Sequence, residues 1–461
     1  MKRAVASKIV AAPGRRNRQR GVALLITLTW IALMIALVGE FTYGTSVDTA
    51  QAANARDELR AHYMARSAVN LSRLLLKIQA KFVDPVMAQA QSMISKLMGG
   101  GSGAGGSGGG ADTPSLGISL RVIDYAGPLM GFFSGSKEEV ASLGGLIGIN
   151  TEGIKGLGMT SGRFDAEITA EDGKIDLNCA NESTPPQAQQ QVYRLLVGLM
   201  MSQRFDRLFS EADATGQFVS RVDVARALID WADKDDRMFT PDGTGTGNED
   251  YRYDARADKY RAHDDSFDTT EEMKQVRGVS DAFMEAFQPF LTIYPASVPC
   301  KVNLGAITNK NGGDCTPIVM GVIRATIDPT KTSLADPALL DDRRLYPIAS
   351  VLCDRASAAG FDSIDALLRV LQNPQTAVLP DDPRFKTLQS MQPIVINRAE
   401  LDKVAYVRPS RIYRVVATGE AGRVKKKITA IVDTQRGLDH PMTLNALSEK
   451  AAGVLQYWRE E

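Results

Sequence analysis

The densest chemistry in the chain is anionic. A run ALIDWADKDD places Asp230, Asp233, Asp235 and Asp236 close together, and Asp242, Glu249, Asp250, Asp264, Asp265 and Asp268 follow. Residues 230–272 hold fourteen Asp/Glu against six Lys/Arg. Crowded carboxylates repel one another unless a cation or salt bridges compensate. A hard cation needs about six to eight oxygen ligands at roughly 2.3–2.6 Å, which carboxylates and loop carbonyls supply. Asp230 and Asp233 stand one turn apart on a helix, and Asp235 can fold back from its C-terminal end. The helix dipole disfavours negative charge there, so a bound cation removes a penalty. Calcium is the natural candidate outside the cytoplasm. The competing reading is a solvated acidic loop balanced by Arg237, Arg252, Arg256, Lys259 and Arg261. The spacing is not that of an EF-hand. No His, Lys or nucleophile motif accompanies the carboxylates, so no catalytic residue is assigned and no enzyme is expected.

The remaining reactive residues are sparse. Three His and four Cys are present, with no CxxC or HExxH spacing, so a zinc or iron site has no support. Cys300 and Cys315 bracket a short loop and are the candidate disulfide, with free buried thiols as the alternative. Cys179 and Cys353 either pair or stay reduced. The cysteines fit an oxidising compartment. With 54 basic and 54 acidic side chains the net charge is zero, which removes the general electrostatic case for nucleic acid. VRGVSDAF (276–283) has the outline of a helix-hairpin-helix element. The acidic loop before it would repel DNA, so it reads as a structural helical hairpin.

The elements that position these groups begin at the N-terminus. Seven basic residues and no acid occupy residues 1–39, all before Gly21. An apolar run, VALLITLTWIALMIALV, extends from Val22 to Val38, about 25 Å as a helix and near the lower limit for crossing a bilayer. The basic flank predicts a cytoplasmic N-terminus. A secretory signal cleaved near Ala50, Ala52 and Ala53, or a plain single-pass anchor, would share these features. The order of basic leader, Gly21 and unbroken apolar helix resembles the class III signal of type IV pilins and pseudopilins. That resemblance implies cleavage by a prepilin peptidase after Gly21 and methylation of Val22. Most members carry Glu at the fifth mature position, where this chain has Ile26. In the family that Glu neutralises the N-terminal ammonium of the subunit above, so its absence suits a filament tip.

Further on, Leu71, Leu75, Ile78 and Phe82 repeat at helical spacing, with Pro85 as a kink or end. A weaker helical stretch covers Val86 to Met98. A flexible linker, GGGSGAGGSGGG, fills 99–110, and a strand at Ile118–Ile123 falls in the apolar segment after it. RFDAEITAEDGKIDLN (163–178) reads as a hairpin turning at Glu171-Asp172-Gly173. Residues 187–290, about 336–373 and 384–390 are mainly helical by period. RIYRVVATGEAGRVKKKITAIVD (411–433) reads as two strands joined at Glu420–Arg423, and the chain closes with Val454–Trp458.

Together, RGVALLITLTWIALM, LRAHYMARSAV, AEDGKIDLN, ALIDWADKDD, NEDYRYD, SFDTTEEMKQVRGVSDAFMEAFQPFLTIY, KVNLGAIT, SRIYRVVATGEA and LQYWREE resemble the type II secretion minor pseudopilin K family. The resemblance implies an α+β fold: a pilin-like transmembrane and stem helix on a small antiparallel sheet, with a large calcium-binding α-domain inserted between strands. Mapped onto this chain, the divisions are a leader (1–21), the transmembrane and stem helix (22–98), the linker (99–110), an insertion of unassigned role (111–160), pilin-like strands (161–184), the α-domain (185–393) and C-terminal strands (394–461). Metal binding carries over first to Asp233, Asp235, Glu249 and Asp250, with Asp230, Asp264 and Asp268 behind. The implied partners are the I and J minor pseudopilins, the pseudopilus shaft, the prepilin peptidase and the bacterial inner membrane, with the head in the periplasm. The implied role is at the pseudopilus tip, helping start assembly for export of folded proteins. A minor pilin that binds DNA or a surface ligand is the alternative. Intact mass and terminal sequencing from membranes containing the peptidase are expected to give a methylated start at Val22. A start near Ala53, or an uncleaved Met1, would overturn the pilin-like reading.

Overall fold

The computed structural model describes residues 18–86, 89, 93, 126–127, 130, 162–181, 186–210, 218–245, 247–250, 253, 260–294, 298–309, 314–326, 341–361, 363–391, 393–434 and 453–461. The expectations for residues 1–17, the linker and the strand at 118–123 lie outside these residues, as do most of those for 86–98 and 111–160.

Helix α1 (Arg18–Ile78) runs for 61 residues, about 90 Å at 1.5 Å per residue. Its N-terminal part is the one described helix long and apolar enough to cross a membrane, and Leu24, Ile31, Ile35 and Leu37 are all exposed. A π-turn (Gln79–Val83) follows, closed by Asp84 N–H to the Gln79 carbonyl. Pro85 accounts for it, because its ring clashes with a carbonyl four residues back and the wider turn relieves the contact.

The distal half of α1 lies on a four-stranded antiparallel sheet. Strands β1 (Arg163–Ala170), β6 (Ile412–Ala421), β7 (Val424–Asp433) and β8 (Val454–Glu460) pair in that order. Ala61, Ala65, Ala68 and Val69 form a narrow stripe of small side chains facing Phe164, Ile168, Val415 and Ala417. Leu75 joins this core, whereas Phe82 is exposed. Gly419 fixes how near the helix comes, since a Cβ there would collide with the Ala61 carbonyl and the Ala65 amide. The β6–β7 hairpin turns through Gly422 and Arg423. Gly422 has φ +59°, the left-handed geometry that a two-residue hairpin demands at this position.

The helical part is built from α2 (Pro186–Met200), α3 (Asp206–Ser210), α4 (Arg221–Ala232), α5 (Asp281–Phe287), α6 (Thr316–Ala325), α7 (Asp342–Ala359), α8 (Ile364–Gln372), α9 (Phe385–Gln389) and α10 (Arg398–Val404). Its continuous core runs from Ile175 to Ala405. Helices α2 and α6 cross where Gly198 meets the Gly321 carbonyl, so their backbones touch. Two small parallel pairs join the ends of this region. β2 (Ile175–Asp176) pairs with β3 (Leu291–Thr292), and β4 (Val302–Asn303) pairs with β5 (Ala405–Tyr406).

Two sequence expectations need correction. Residues 163–178 do not form a hairpin. The turn exists, with Lys174 N–H bonded to the Glu171 carbonyl at 3.0 Å, but β1 pairs with β6 and β2 with β3. The alternation was real, yet the turn carries the chain from one sheet to another. The disulfide is also different. Cys300 bonds Cys179 (Cα–Cα 5.4 Å) and Cys315 bonds Cys353 (5.6 Å). The short segment between Cys300 and Cys315 contains β4, whose pairing with β5 holds it against another part of the domain.

That turn is a buried polar junction. Glu171 and Asp172 are both 0% exposed. Glu171 accepts from Lys174 Nζ (2.7 Å), Arg414 Nε (2.6 Å) and Thr292 Oγ1 (2.6 Å). Asp172 accepts from Ser410 Oγ, from Arg411 N–H at 3.1 Å and from Asn303 Nδ2 at 3.3 Å. Burial pushes Glu171 upward, but Lys174 and Arg414 outweigh it and hold the carboxyl at about 2, below its ordinary 4.5. A depressed carboxyl stabilises the fold above its unfolded value and loses that contribution as pH falls through the folded one. Glu171→Gln is therefore expected to destabilise by about 3–5 kcal/mol near neutrality. It should also flatten the acid limb of stability between pH 4.5 and about 2. Urea unfolding across pH measures both, and an unchanged midpoint would contradict the argument.

Candidate metal centre

The site is framed by the end of α4. Ser220 and Asp223 form a capping box at the start of the helix, which fixes its phase. Trp231, Leu228 and Ala232 are buried, so Asp230 and Asp233 are carried inward with them. Asp233 is the C-cap, its N–H bonding the Ile229 carbonyl at 3.0 Å while its backbone turns extended. Burial there is severe: Asp230 is 0% exposed, Asp233 4% and Glu249 1%.

The second wall is a short antiparallel contact. Arg237 pairs with Asn248, Met238 N–H bonds the Gly247 carbonyl at 2.9 Å and Glu249 N–H reaches the Asp236 carbonyl at 3.4 Å. This register sets Asp236 opposite Glu249. Asp264, at φ +51°, supplies the third wall. One oxygen from each of Asp236, Glu249 and Asp264 lies within 4.8 Å of the others. That span matches ligands across a hard cation, whose oxygens stand about 2.3–2.6 Å from the metal.

The partners of these oxygens differ. Asp230 Oδ1 accepts from Phe239 N–H at 2.6 Å, and Asp233 Oδ2 accepts from Gln189 Nε2 at 3.0 Å. Asp233 Oδ1, both Glu249 oxygens and Asp264 Oδ1 are buried with no hydrogen-bond donor among the described residues. Desolvation, then the charges of Asp230, Asp235 and Asp264, push Asp233 up to about 8. Desolvation, then Asp233 and Asp230, push Glu249 up to about 10. Asp264 is raised too, mainly by desolvation. Carboxylates buried without donors or a cationic side chain among the described residues cost several kcal/mol each when ionised; Arg252, Arg256 and Lys259 of the competing reading lie outside those residues. The donor set therefore fits a hard divalent cation, which Asp236, Glu249 and Asp264, with Asp233 beside them, would hold.

Of the seven carboxylates expected from sequence, Asp230, Asp233, Glu249 and Asp264 come together. Asp235 is exposed and accepts from Arg237 N–H at 2.8 Å, close enough to act on Asp233 through its charge. Asp250 accepts from Ala262 N–H at 3.2 Å and lies 3.9 Å from Arg261. Asp268 is exposed and bonds Glu272 through its backbone amide at 2.8 Å, outside the cluster. Asp236, named in the run but not carried over as a ligand, joins the cluster because the 237–248 register sets it opposite Glu249. The expected hairpin at 276–283 is a 3-10 turn (Thr270–Gln275), Gly278 at φ +85° and α5. Val276 and Val279 are buried in the core.

Residues 173–296 match the family model for type II secretion system (T2SS), protein K. This stretch contains all seven expected carboxylates and Asp236. A comparison with curated proteins gives no match. Among solved structures, a chain in the GspK–GspI–GspJ complex of the enterotoxigenic Escherichia coli type 2 secretion system is similar at 13% identity. The TM-score is 0.39, covering 65% of this chain and 80% of that one.

The sign of the pH dependence follows from the raised values. A carboxyl raised in the fold favours the folded state below its unfolded value and loses that contribution as pH rises through the folded one. In chelator, stability is expected to fall as pH climbs from the ordinary 3.8 and 4.5 toward about 8 for Asp233 and about 10 for Glu249. Glu249→Gln should raise the Tm in chelator at pH 8 and reduce the gain that a divalent cation gives. Thermal unfolding with and without cation tests this, and a Tm independent of both would refute it.

Proposed function

We propose that this chain, whose residues 173–296 match the family model for type II secretion system protein K, is a minor pseudopilin seated at the tip of the pseudopilus. It is anchored by the apolar part of α1 in the inner membrane with its head in the periplasm. The prepilin peptidase cleaves after Gly21 and Val22 becomes the methylated N-terminus. The head associates with the I and J minor pseudopilins and helps start the shaft that moves folded proteins outward. No catalysis and no nucleic acid are involved.

One juxtaposition supports this reading most. A long helix with an apolar start carries a small antiparallel sheet on its distal half only, and a bulky helical region with a K-type acidic loop is inserted into that sheet. A shaft subunit has neighbours above and below, and this bulk is hard to fit between them. Ile26, where a shaft subunit carries Glu, leaves no carboxylate to neutralise an ammonium above. Burying such a charge in hydrocarbon without a partner is costly, so the position above is best left vacant.

Calcium takes the carboxylate cluster in this reading. It supplies the positive charge that neutralises Asp233, Asp236, Glu249 and Asp264, and the chain's own residues fix its place through α4 and the 237–248 contact. Its role is structural, holding the acidic loop against the helices.

The test uses the full chain in membranes beside I and J. Affinity purification after mild solubilisation is expected to recover all three together, and Ile26→Glu should leave that complex intact while permitting incorporation into the shaft. Absence of any complex with I and J at micromolar concentrations would defeat the tip assignment.

A further inference from the structure

We propose that the Cys179–Cys300 disulfide controls the carboxylate cluster, so that the cation site assembles fully only in the oxidised chain. This rests on the cation reading above and adds a redox condition to it.

The geometry begins with what Cys179 sits in. It belongs to a short turn (Asn178–Asn181) directly after β2, and its side chain is buried at 4% exposure, like Cys300 at 5%. Neighbours of Cys179 hold the acidic loop. Asn178 Oδ1 accepts from Phe267 N–H at 2.7 Å, while Asn178 Nδ2 donates to the carbonyls of Phe267 (3.0 Å) and Ile293 (2.9 Å). Asn181 Nδ2 donates to Asp265 Oδ1 at 2.8 Å. These bonds fix the limb that carries Asp264. Gln189 Nε2, 3.4 Å from the Ala180 carbonyl, donates to Asp233 Oδ2 at 3.0 Å. The other oxygen of Asp233 is thereby left for the cluster, buried and without a donor among the described residues.

The other end of the disulfide is restrained only with effort. Cys300 is a non-glycine residue at φ +60°, a backbone region that side chains other than glycine avoid. The bond to Cys179 holds it there. The closed loop spans 121 residues and encloses every carboxylate of the site. Without the bond, the turn at 178–181 has lost its covalent tie to Cys300; the limb that carries Asp264 is bonded to that turn, and Asp233 reaches it through Gln189 of α2. The second disulfide, Cys315–Cys353, joins α6 to α7, and none of the hydrogen bonds just named involves those helices. It is an internal control.

The oxidation step balances by thiol–disulfide exchange with a disulfide-bearing oxidant of the compartment. One cysteine thiolate attacks a sulfur of that oxidant and releases one of its thiolates. The second cysteine thiolate attacks the resulting mixed disulfide, forming Cys179–Cys300 and releasing the other. Two electrons pass to the oxidant, and the two protons lost by the cysteines end on the two released thiols. In a reducing compartment the site stays loose and binds calcium weakly. After export and oxidation it closes, and calcium completes it.

The test is calcium binding by the full chain in detergent, followed by titration calorimetry. Wild-type protein, the C179S/C300S pair and the C315S/C353S pair are compared, each with the remaining disulfide intact. Loss of Cys179–Cys300 is expected to weaken calcium binding at least tenfold, and loss of Cys315–Cys353 by less than twofold. Equal weakening in both pairs, or none in the first, would overturn the proposal. Wild-type protein that does not bind calcium would instead sink the cation reading itself. Should C179S/C300S fail to fold, two measurements on the oxidised chain remain. Asn178→Ala is expected to weaken calcium binding with both disulfides formed. By linkage, saturating calcium must make Cys179–Cys300 harder to reduce by the same factor by which the bond strengthens calcium, read from dithiol titration. A reduction equilibrium indifferent to calcium would refute the coupling.

Discussion

The polar junction at Glu171 and Asp172 is the contact from which the rest of the head takes its orientation. Both carboxylates are buried where β1 ends and the helical region begins, and their partners come from every strand that borders the junction: Lys174 before β2, Thr292 on β3, Asn303 on β4, and Ser410, Arg411 and Arg414 at β6. Arg411 passes the restraint on to β7 through two bonds to Asp433, at 2.8 and 2.6 Å. An apolar seam between a sheet and a helical domain tolerates sliding, because dispersion contacts are not directional. Buried hydrogen-bonded charges do not, since a displacement leaves an ion without its partner at a cost of several kcal/mol. The head is thus presented at one angle to its stem.

The same physics run in reverse at the acidic loop. Glu171 is desolvated, yet Lys174 and Arg414 bring it down to about 2. Glu249 is desolvated beside Asp233 and Asp230 and rises to about 10. Burial alone does not separate the two cases; the sign of the neighbours does. Glu171, neutralised by Lys174 and Arg414, needs nothing from outside, whereas a pocket of carboxylates with no cationic side chain among the described residues is left wanting a positive charge. The protein contains both arrangements within one domain, and only the second depends on its surroundings.

What the sequence disclosed follows the range of the interactions concerned. Strands 411–433 and their turn were legible because alternation and Gly422 are local signals. The helical character of α4 and the acidity that follows it were legible for the same reason. The hairpin at 163–178 failed because alternation reports which face a residue takes and says nothing of which strand it will pair with. Asp236 stood in the acidic run but not in the ligand set, because its place opposite Glu249 depends on a register between residues eleven apart. The cysteines failed most plainly. Closeness in sequence suggested Cys300 with Cys315, but the partner of Cys300 lies 121 residues away, brought near by the parallel pairing of β2 with β3. Glu171 and Asp172 gave no hint of burial, since acidic turn residues are ordinarily exposed.

The stem sets the final constraint on what the head can do. The buried stripe on α1 begins at Ala61, and nearly all residues from Gly21 to Arg60 are exposed. Forty residues of helix extend for about 60 Å, of which the apolar run accounts for the first half. That half is long and apolar enough for a single-pass membrane anchor, and the remainder around Asp48, Asp57 and Arg60 is more polar. A head held at the far end of such a rod, by Gly419 against Ala61 and Ala65 and by the ions at Glu171, is placed to follow an axial movement of the rod. A flexible junction would absorb the same movement. On the proposed reading, the rod is pushed from the membrane side as subunits add beneath it. The rigidity of the seam between sheet and helical region is then what makes the cap move with the shaft.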